Sequence, residues 1–476
     1  MPSSSAPPTL PPADLALRRA ALTAAAASAF LAPFTGSSIN VALPTLGADF
    51  GLDAVDLNWV ATVYLLATAI FLVPMGRLAD IYGRKRVFAL GVAIFTLASG
   101  ACALAPNGPT LIALRVVQGI GSAMNFGTGL AILSSVFPAG ERGKVLGITV
   151  FFTYLGLVAG PVVGGLLTQH LGWRAVFLVV VPFGALAYSL VQFRLHGDWA
   201  GARGEPFDKT GALLYGVTLL LGMLGLARVP QLLGFAGMGL SALALVVFVW
   251  WVGRTASPVL DLRLFRENRV FALSNLAAFI HYAATFGAGF FLSLYLQYVR
   301  GMGPQDAGLV MLPQPIVMAL CSPFAGRLSD KVEPRLVATS GMLLTAVGLA
   351  MLTTLSSETS MPFLMTCLAL LGGGFALFSS PNSNAVMSSV DPRSLGLASA
   401  LLGTMRLVGQ MVSMGLAMFV VSTFVGAVKI APQHHDQLLQ ATHVAFLVMT
   451  VMSLVGMAAS MARGRMHAGP DDLSRS

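Results

Sequence analysis

Gly76-Arg-Leu-Ala-Asp-Ile-Tyr-Gly-Arg-Lys-Arg86 closes one long apolar run and precedes another. Arg84, Lys85 and Arg86 stand together at the edge of these runs, and basic clusters beside apolar spans mark the cytoplasmic side of a membrane. A weaker copy follows at Gly326-Arg-Leu-Ser-Asp330, with Lys331 and Arg335 behind it. Two copies of one loop imply two copies of one half, and the rest of the chain orders itself around that duplication.

Composition agrees with a membrane setting. The chain has 476 residues, 56% of them hydrophobic and only 10% charged, where a soluble chain would carry about a quarter charged residues. The net charge of +9 does not indicate a nucleic-acid partner. The basic residues lie between apolar runs, where a positive-inside bias alone predicts an excess. Cys102, Cys321 and Cys367 fall within apolar runs and have no partner at metal-ligand spacing, so they read as small packing residues. Residues 1–19, rich in Pro, Ser and Ala, read as a disordered tail ahead of an uncleaved first helix.

Runs close to the ~20 residues of a spanning helix occur at 20–43, 57–78, 87–104, 110–136, 144–168 and 174–194, then at 211–227 and 231–252, and finally at 270–299, 305–326, 336–355, 362–386, 394–426 and 443–462. The expected fold is therefore an all-α polytopic membrane protein with two six-helix halves (20–194 and 270–462). An inserted helix pair lies within 195–269, and a tail follows over 463–476. Fourteen spans put both termini on one side. Most of the 28 lysines and arginines then fall on that side. Arg174, Arg228, Arg300 and Lys429 fall on the other, and Arg115 and Arg406 lie within spans. This asymmetry makes both termini cytoplasmic. Ala131-Ile-Leu-Ser-Ser-Val136 and Ala385-Val-Met-Ser-Ser-Val390 repeat at nearly the same spacing as the two basic loops.

The loop pattern Gly-x-Leu-x-Asp-x-x-Gly-Arg followed by two basic residues resembles the signature loop of the major facilitator superfamily. Parallel repeats about an axis normal to the membrane, with a site between them, are the architecture this implies. The resemblance makes Gly76, Asp80, Gly83, Arg84, Lys85 and Arg86, with Gly326 and Asp330 in the second copy, a latch between the halves, Asp80 facing the span that starts near Ser394. A simpler membrane anchor is the alternative. Leu114-Arg-Val-Val-Gln-Gly-Ile-Gly121 resembles the family's fourth-span motif, with Arg115, Gln118, Ser122 and Asn125 near one helix face. Arg115 should face the interior, as a functional cation or against backbone carbonyls. Gly156, Gly160, Pro161 and Gly164 resemble the superfamily's antiporter motif; their spacing also suits close helix packing.

Trp173-Arg-Ala-Val-Phe177, Pro182-Phe-Gly184, Ser38-Ile-Asn-Val-Ala-Leu-Pro44, Pro258-Val-Leu-Asp-Leu-Arg-Leu-Phe265 and Gln305-Asp-Ala-Gly308 resemble the fourteen-span drug:proton antiporters. One departure stands out. Thr35 occupies the place where that family usually carries an aspartate linked to protons or cationic drugs. All 19 acidic residues lie in loops, tails or span edges. Arg115 and Arg406 thus have no obvious counter-ion, which suits an anionic or neutral polar cargo better than a lipophilic cation. His281 is the deep side chain able to titrate near neutral pH, or else a hydrogen-bonded core histidine.

The candidate cavity comprises Thr35, Ser38, Asn40, Arg115, Gln118, Asn125, His281, Tyr282, Gln314, Asn382, Arg406 and Gln410. Tyr64, Phe151, Tyr154, Phe286, Tyr295 and Asn384 are further lining positions. The resemblance implies a multidrug exporter in a bacterial inner membrane, working as a monomer on small amphipathic molecules and coupled to protons. An organic-anion or metabolite transporter using Arg115 and Arg406 is the alternative. No cofactor or metal site is expected: there is no phosphate loop, and His434, His435 and Asp436 read as a solvated loop. A scaffold without transport, or an enzyme, fits less well, since the interior connections are short and no nucleophile–base constellation lies within the spans.

Overall fold

A computed structural model describes residues 12–464 apart from 138, 196, 198, 230, 261 and 391–394. Fourteen helices among the described residues are long and apolar enough to cross a membrane. The N-terminal half contains α1 (Pro12–Phe50), α2 (Ala54–Tyr82), α3 (Arg84–Ala103), α4 (Gly108–Val136), α5 (Ala139–Leu171) and a sixth span divided into α6 (Arg174–Leu178) and α7 (Val180–Arg194). The inserted pair is α8 (Lys209–Leu226) and α9 (Leu232–Val252), followed by the short α10 (Arg263–Glu267). The C-terminal half contains α11 (Arg269–Thr285) and α12 (Ala288–Leu294) as one broken span, then α13 (Pro304–Val310) and α14 (Pro313–Lys331) as another. It ends with α15 (Pro334–Leu352), α16 (Met361–Ser388), α17 (Leu395–Phe424) and α18 (His435–Ala462).

The first helix starts within the stretch expected to be a disordered tail, which corrects that boundary. Pro12 sits at the N-terminus, where its missing N–H costs nothing, and Ala, Leu and Arg carry the helix forward. The breaks in the spans also have local causes. Pro182 cannot donate to Leu178, and the sixth span divides at Val179. In the ninth span, the Gly287 N–H is taken by Ser413 Oγ at 2.9 Å, a side chain inserted into the helical ladder. That span ends in a π-helical turn, Tyr295–Val299.

The duplication is visible in which helices touch. In the first half α1 packs on α5 and α7, α3 on α4 and α7, and α2 on α4. In the second half α11 packs on α17 and α18, α15 on α16 and α18, and α14 on α16. Each pairing in one half has its counterpart in the other, as two copies of one six-helix unit require. Between the halves α2 lies along α17, and α5 meets α13 and α14. The inserted α8 rests on both α2 and α17, with the Tyr215 hydroxyl donating to Ala69 O at 3.0 Å. Helix α9 shows a large apolar surface, including Leu243, Val246 and Trp250, as a lipid-facing span should.

The start of α1 and the end of α18 lie on the side of the molecule that carries the two signature loops. This is called the basic side below, and its counterpart the opposite side.

Candidate functional site

The Gly76–Arg86 loop is built on one backbone requirement. Gly83 ends α2 and begins α3 at φ 113°, a conformation that side chains rarely adopt. That turn brings Arg84 back onto Asp80, with Nε and Nη2 2.9 and 2.8 Å from Asp80 Oδ1. Arg84 Nη1 also donates to Ser135 Oγ at 3.0 Å on α4. The linker after α7 straps the loop from outside: the Arg84 N–H donates to Trp199 O and the Ala202 N–H to Asp80 O, each at 2.9 Å. Arg77 pairs with Glu205 at 2.6 Å. Lys85 and Arg86 border a surface groove with Gln192 and Gly197. Gly76 has open space around it. In the second loop Gly326 faces Ser380, while the side chain of Asp330 and residues 391–394, where Asp80 was expected to make contact, lie outside the described residues.

On the opposite side the two halves meet through α5. Cβ atoms added at Gly156 and Gly160 would collide with Phe30 O and Ser37 Oγ of α1. One at Gly164 would lie 2.7 Å from Ser38 Cβ. That glycine face lets α1 approach closely, and Ser38 Oγ donates to Gly160 O at 3.0 Å. The other face of α5 meets the second half. A Cβ at Gly165 would lie 2.6 Å from Pro304 O, and one at Gly308 would strike Pro161 O. Beside them the Gln305 N–H donates to Gln169 Oε1 at 3.1 Å, and His170 Nε2 lies 3.0 Å from Gln305 Oε1. Ser293 Oγ donates to Asn40 O at 2.6 Å and Gln297 Nε2 to Val41 O at 2.9 Å, tying α1 to the ninth span.

Arg115 sits in the first half, fully buried. Its Nε donates to Val60 O at 3.1 Å and its Nη1 to Gln118 Oε1 at 2.7 Å, while Gln118 Nε2 donates to Ser99 Oγ at 2.7 Å. The guanidinium lies 4.5 Å from the Tyr64 ring centroid, and the Tyr64 hydroxyl donates to Ser122 Oγ at 2.8 Å. Arg115 also borders a small cavity with Gly36, Asn40, Ala61, Tyr64, Leu65 and Phe286. Thr35 bonds instead to Leu31 O of its own helix at 2.8 Å, and Asn125 packs toward Gly91 of α3.

The second half presents a different centre. Arg406, half-buried on α17, donates to Ser383 Oγ at 2.5 Å and lies 5.7 Å from the Tyr282 ring centroid. Ser383 donates in turn to Ser379 O at 2.6 Å. Across the seam Tyr154 of α5 reaches the hydroxyls of Ser322 and Ser379, so this cluster joins both halves. His281, next to Tyr282, lies in a closed aromatic cluster. It is fully buried, 4.1 Å from the Phe378 and 5.3 Å from the Phe375 ring centroid, with neither ring nitrogen hydrogen-bonded.

Asn382 is turned away from the seam. Its Nδ2 donates to Ser274 O at 3.1 Å, and its Oδ1 accepts from Arg463 Nη1 at 2.9 Å. Gln314 is half-buried where its backbone carbonyl meets Gly372, and Gln410 is half-buried on α17. Arg463 is a residue that sequence reasoning missed. It was assigned to the tail, yet it is 1% exposed just beyond α18, where burial lowers its guanidinium to about 10, still charged at neutral pH. The signal available was its position immediately after the last apolar run. Among the described residues no group of three or more His, Cys, Asp or Glu could hold a metal ion.

Residues 25–271 and 274–473 match the sequence profile of the Major Facilitator Superfamily. The chain belongs to this superfamily. Among curated relatives of this major facilitator, the riboflavin transporter RibZ of Clostridioides difficile is 32% identical over 380 residues, covering 79% of this chain and 82% of that protein. The multidrug resistance protein Stp of Mycobacterium tuberculosis is 32% identical over 396 residues, covering 82% of this chain and 73% of the relative. The tetracenomycin C resistance and export protein of Streptomyces glaucescens is 30% identical over 387 residues, covering 80% and 71%. A bacterial homologue of the lysosomal transporter Spinster, solved in an inward-facing unoccupied conformation, superposes with a TM-score of 0.67 at 18% identity, covering 96% of this chain and 98% of the other. That likeness shows the fold. Family and fold are those of membrane transporters, and the α5 glycines and the Arg406 cluster are two features of that fold in this chain.

Proposed function

We propose that this major facilitator is a secondary active exporter of small amphipathic molecules, of the multidrug-efflux type, working by alternating access. The observation that carries this reading is the double role of α5. Its glycines hold α1 on one face, and its Gly165 and Pro161 meet α13 of the other half on the opposite side. A seam of close backbone approaches held by a few side-chain hydrogen bonds separates at modest cost, as rocking halves require. The tethers through Asn40, Val41 and Gln169 lie at the same end. The relatives Stp and the tetracenomycin C exporter support outward transport of drug-like molecules.

In this reading the basic side faces the cytoplasm of a bacterial cell, the protein works in the inner membrane as a monomer, and Asp80 and Arg84 latch the basic side when it closes. The antiported ion is the proton. His281 is the group that carries it, since Thr35 offers no carboxyl, and reaching water requires α11 to part from Phe375 and Phe378 of α16 within the second half. The test is reconstitution in liposomes with an imposed pH gradient and a fluorescent cargo. Outward-equivalent flux driven by the gradient, and blunted by His281→Gln, is expected. Gradient-independent flux would overturn proton coupling, and no flux of any cargo would overturn the transporter reading. A metabolite cargo is the second reading, favoured by similarity to the riboflavin transporter.

A further inference from the structure

We infer that Arg406 is the anchor for the acidic group of an aromatic organic anion, the cargo class this transporter takes at the seam between its halves. The inference rests on the transport reading above and adds the charge and shape of the cargo.

Three arginines are embedded in or beside the spans, and their surroundings differ. Arg115 is held by a backbone carbonyl and a glutamine amide oxygen. Arg463 is held by an asparagine amide oxygen and a serine. Both are closed off, with 0% and 1% exposure. Arg406 is half-buried, and its one hydrogen bond among the described residues goes to a serine hydroxyl. Its Nε is buried with no acceptor, as are Arg115 Nη2 and Arg463 Nε and Nη2, so half-exposure rather than an open donor sets Arg406 apart. A guanidinium offers five N–H donors in a planar fork and stays charged under all ordinary conditions. A single neutral hydroxyl leaves most of that capacity unused, and a half-covered charge at this depth is costly unless an acceptor arrives.

Its position suits a cargo. From the start of α17, Arg406 lies roughly 17 Å along the helix, at 1.5 Å per residue. Tyr154 lies roughly 22 Å along α5 and Tyr282 roughly 20 Å along α11 from the same side. The three are thus at similar height. Tyr282 stands edge-on to Phe375, with centroids 5.3 Å apart, which gives a planar body an aromatic wall beside the cation. Tyr154 comes from the other half. A ligand that bridges Arg406 and Tyr154 therefore contacts both halves, as a cargo sensed by rocking must. A carboxylate, sulfonate or phosphate matches the guanidinium fork, whereas a lipophilic ammonium would face an uncompensated like charge.

The test uses the purified full-length protein in lipid nanodiscs and three probes of one shape: 1-naphthoate, 1-naphthamide and 1-naphthylmethylammonium. Binding is followed by fluorescence without any gradient. The expected result is at least ~10-fold tighter binding of naphthoate than of the ammonium, about 1.4 kcal/mol. Arg406→Gln should abolish that preference while leaving naphthamide within ~2-fold. Arg406→Lys, which keeps the charge but not the fork, should retain part of it. Size exclusion and thermal melting establish that the variants are folded, and wild-type probe preference stands as a test without any variant. A wild-type preference for the ammonium, or an Arg406→Gln protein that still prefers naphthoate, overturns the inference. A liposome arm separates the two readings. Flux of the ammonium alone, indifferent to Arg406, sinks the cargo class and leaves the transporter. Tight naphthoate binding with no flux of any probe supports the anion site and sinks transport.

Discussion

Arg115 and Arg406 are the same residue type inside the same bilayer-spanning bundle, and they have opposite surroundings. Arg115 is wrapped by α2 and α4: a carbonyl of Val60, the amide of Gln118, the ring of Tyr64. Its neighbours are themselves bonded onward, through Ser99 and Ser122. Arg406 has Ser383 and the ring of Tyr282 beneath it. The contrast shows how an intramembrane charge is to be judged. Where the protein encloses the guanidinium completely, the charge holds helices together. Where it leaves the guanidinium half-covered, the charge stays open to something that is not part of the chain.

The largest effect that would test this contrast is on stability. Arg115→Ala removes the donor that Val60 O and Gln118 accept from. It should cost about 2–3 kcal/mol, the scale of a charge-assisted hydrogen bond lost from a buried site. Arg406→Ala should cost less than about 1 kcal/mol. Thermal melting of the two variants in the same detergent measures both, and equal losses would erase the distinction between a structural and a waiting arginine. Arg463→Ala belongs with Arg115 and should strip Asn382 and Ser274 of their partner at a cost of about 1–3 kcal/mol.

The second effect concerns the seam. Gly308→Ala places a methyl against Pro161 O without touching the packing inside either half. Overpacking of about 1–3 kcal/mol should act only on the closed opposite side and shift the two-state population roughly tenfold away from it. Spin-label distances across that end should lengthen while melting stays unchanged. Gly160→Ala, which crowds Ser37 within the first half, should instead lower melting. If both variants behave alike, α5 is not divided into a packing face and a closing face.

The smallest effect is at the strap. The Arg77–Glu205 pair is partly exposed, and Arg77→Ala should change stability by less than about 1 kcal/mol. Melting in low and high salt checks it. A larger, salt-sensitive loss would mean that the linker after α7 holds the Gly76–Arg86 loop more firmly than a surface pair can.

Much of this architecture is legible in the chain alone. Apolar runs of spanning length, paired basic loops and the one-sided distribution of lysine and arginine depend only on solvation, because a backbone in hydrocarbon must satisfy itself as helix. The site was less legible. Asn382 and Arg406 lie near each other on α16 and α17, but the direction of each side chain depends on helix rotation. Asn382 turns toward Ser274 and Arg463, and Arg406 toward the seam. Thr35, placed where a carboxylate was anticipated, bonds its own helix, and the adjacent Gly36 and Asn40 border the cavity instead. His281 has the right depth for a cavity but faces Phe378.

By itself the sequence determined that the chain crosses a membrane fourteen times in two repeated halves, and where its glycine-rich and basic motifs fall, because transfer energies and backbone requirements act residue by residue. Only the tertiary structure decided which arginine is enclosed, which glycine face closes the seam and which polar side chains turn inward. Those outcomes depend on how each helix is rotated against neighbours far away in the chain, and no local pattern of residues carries that information.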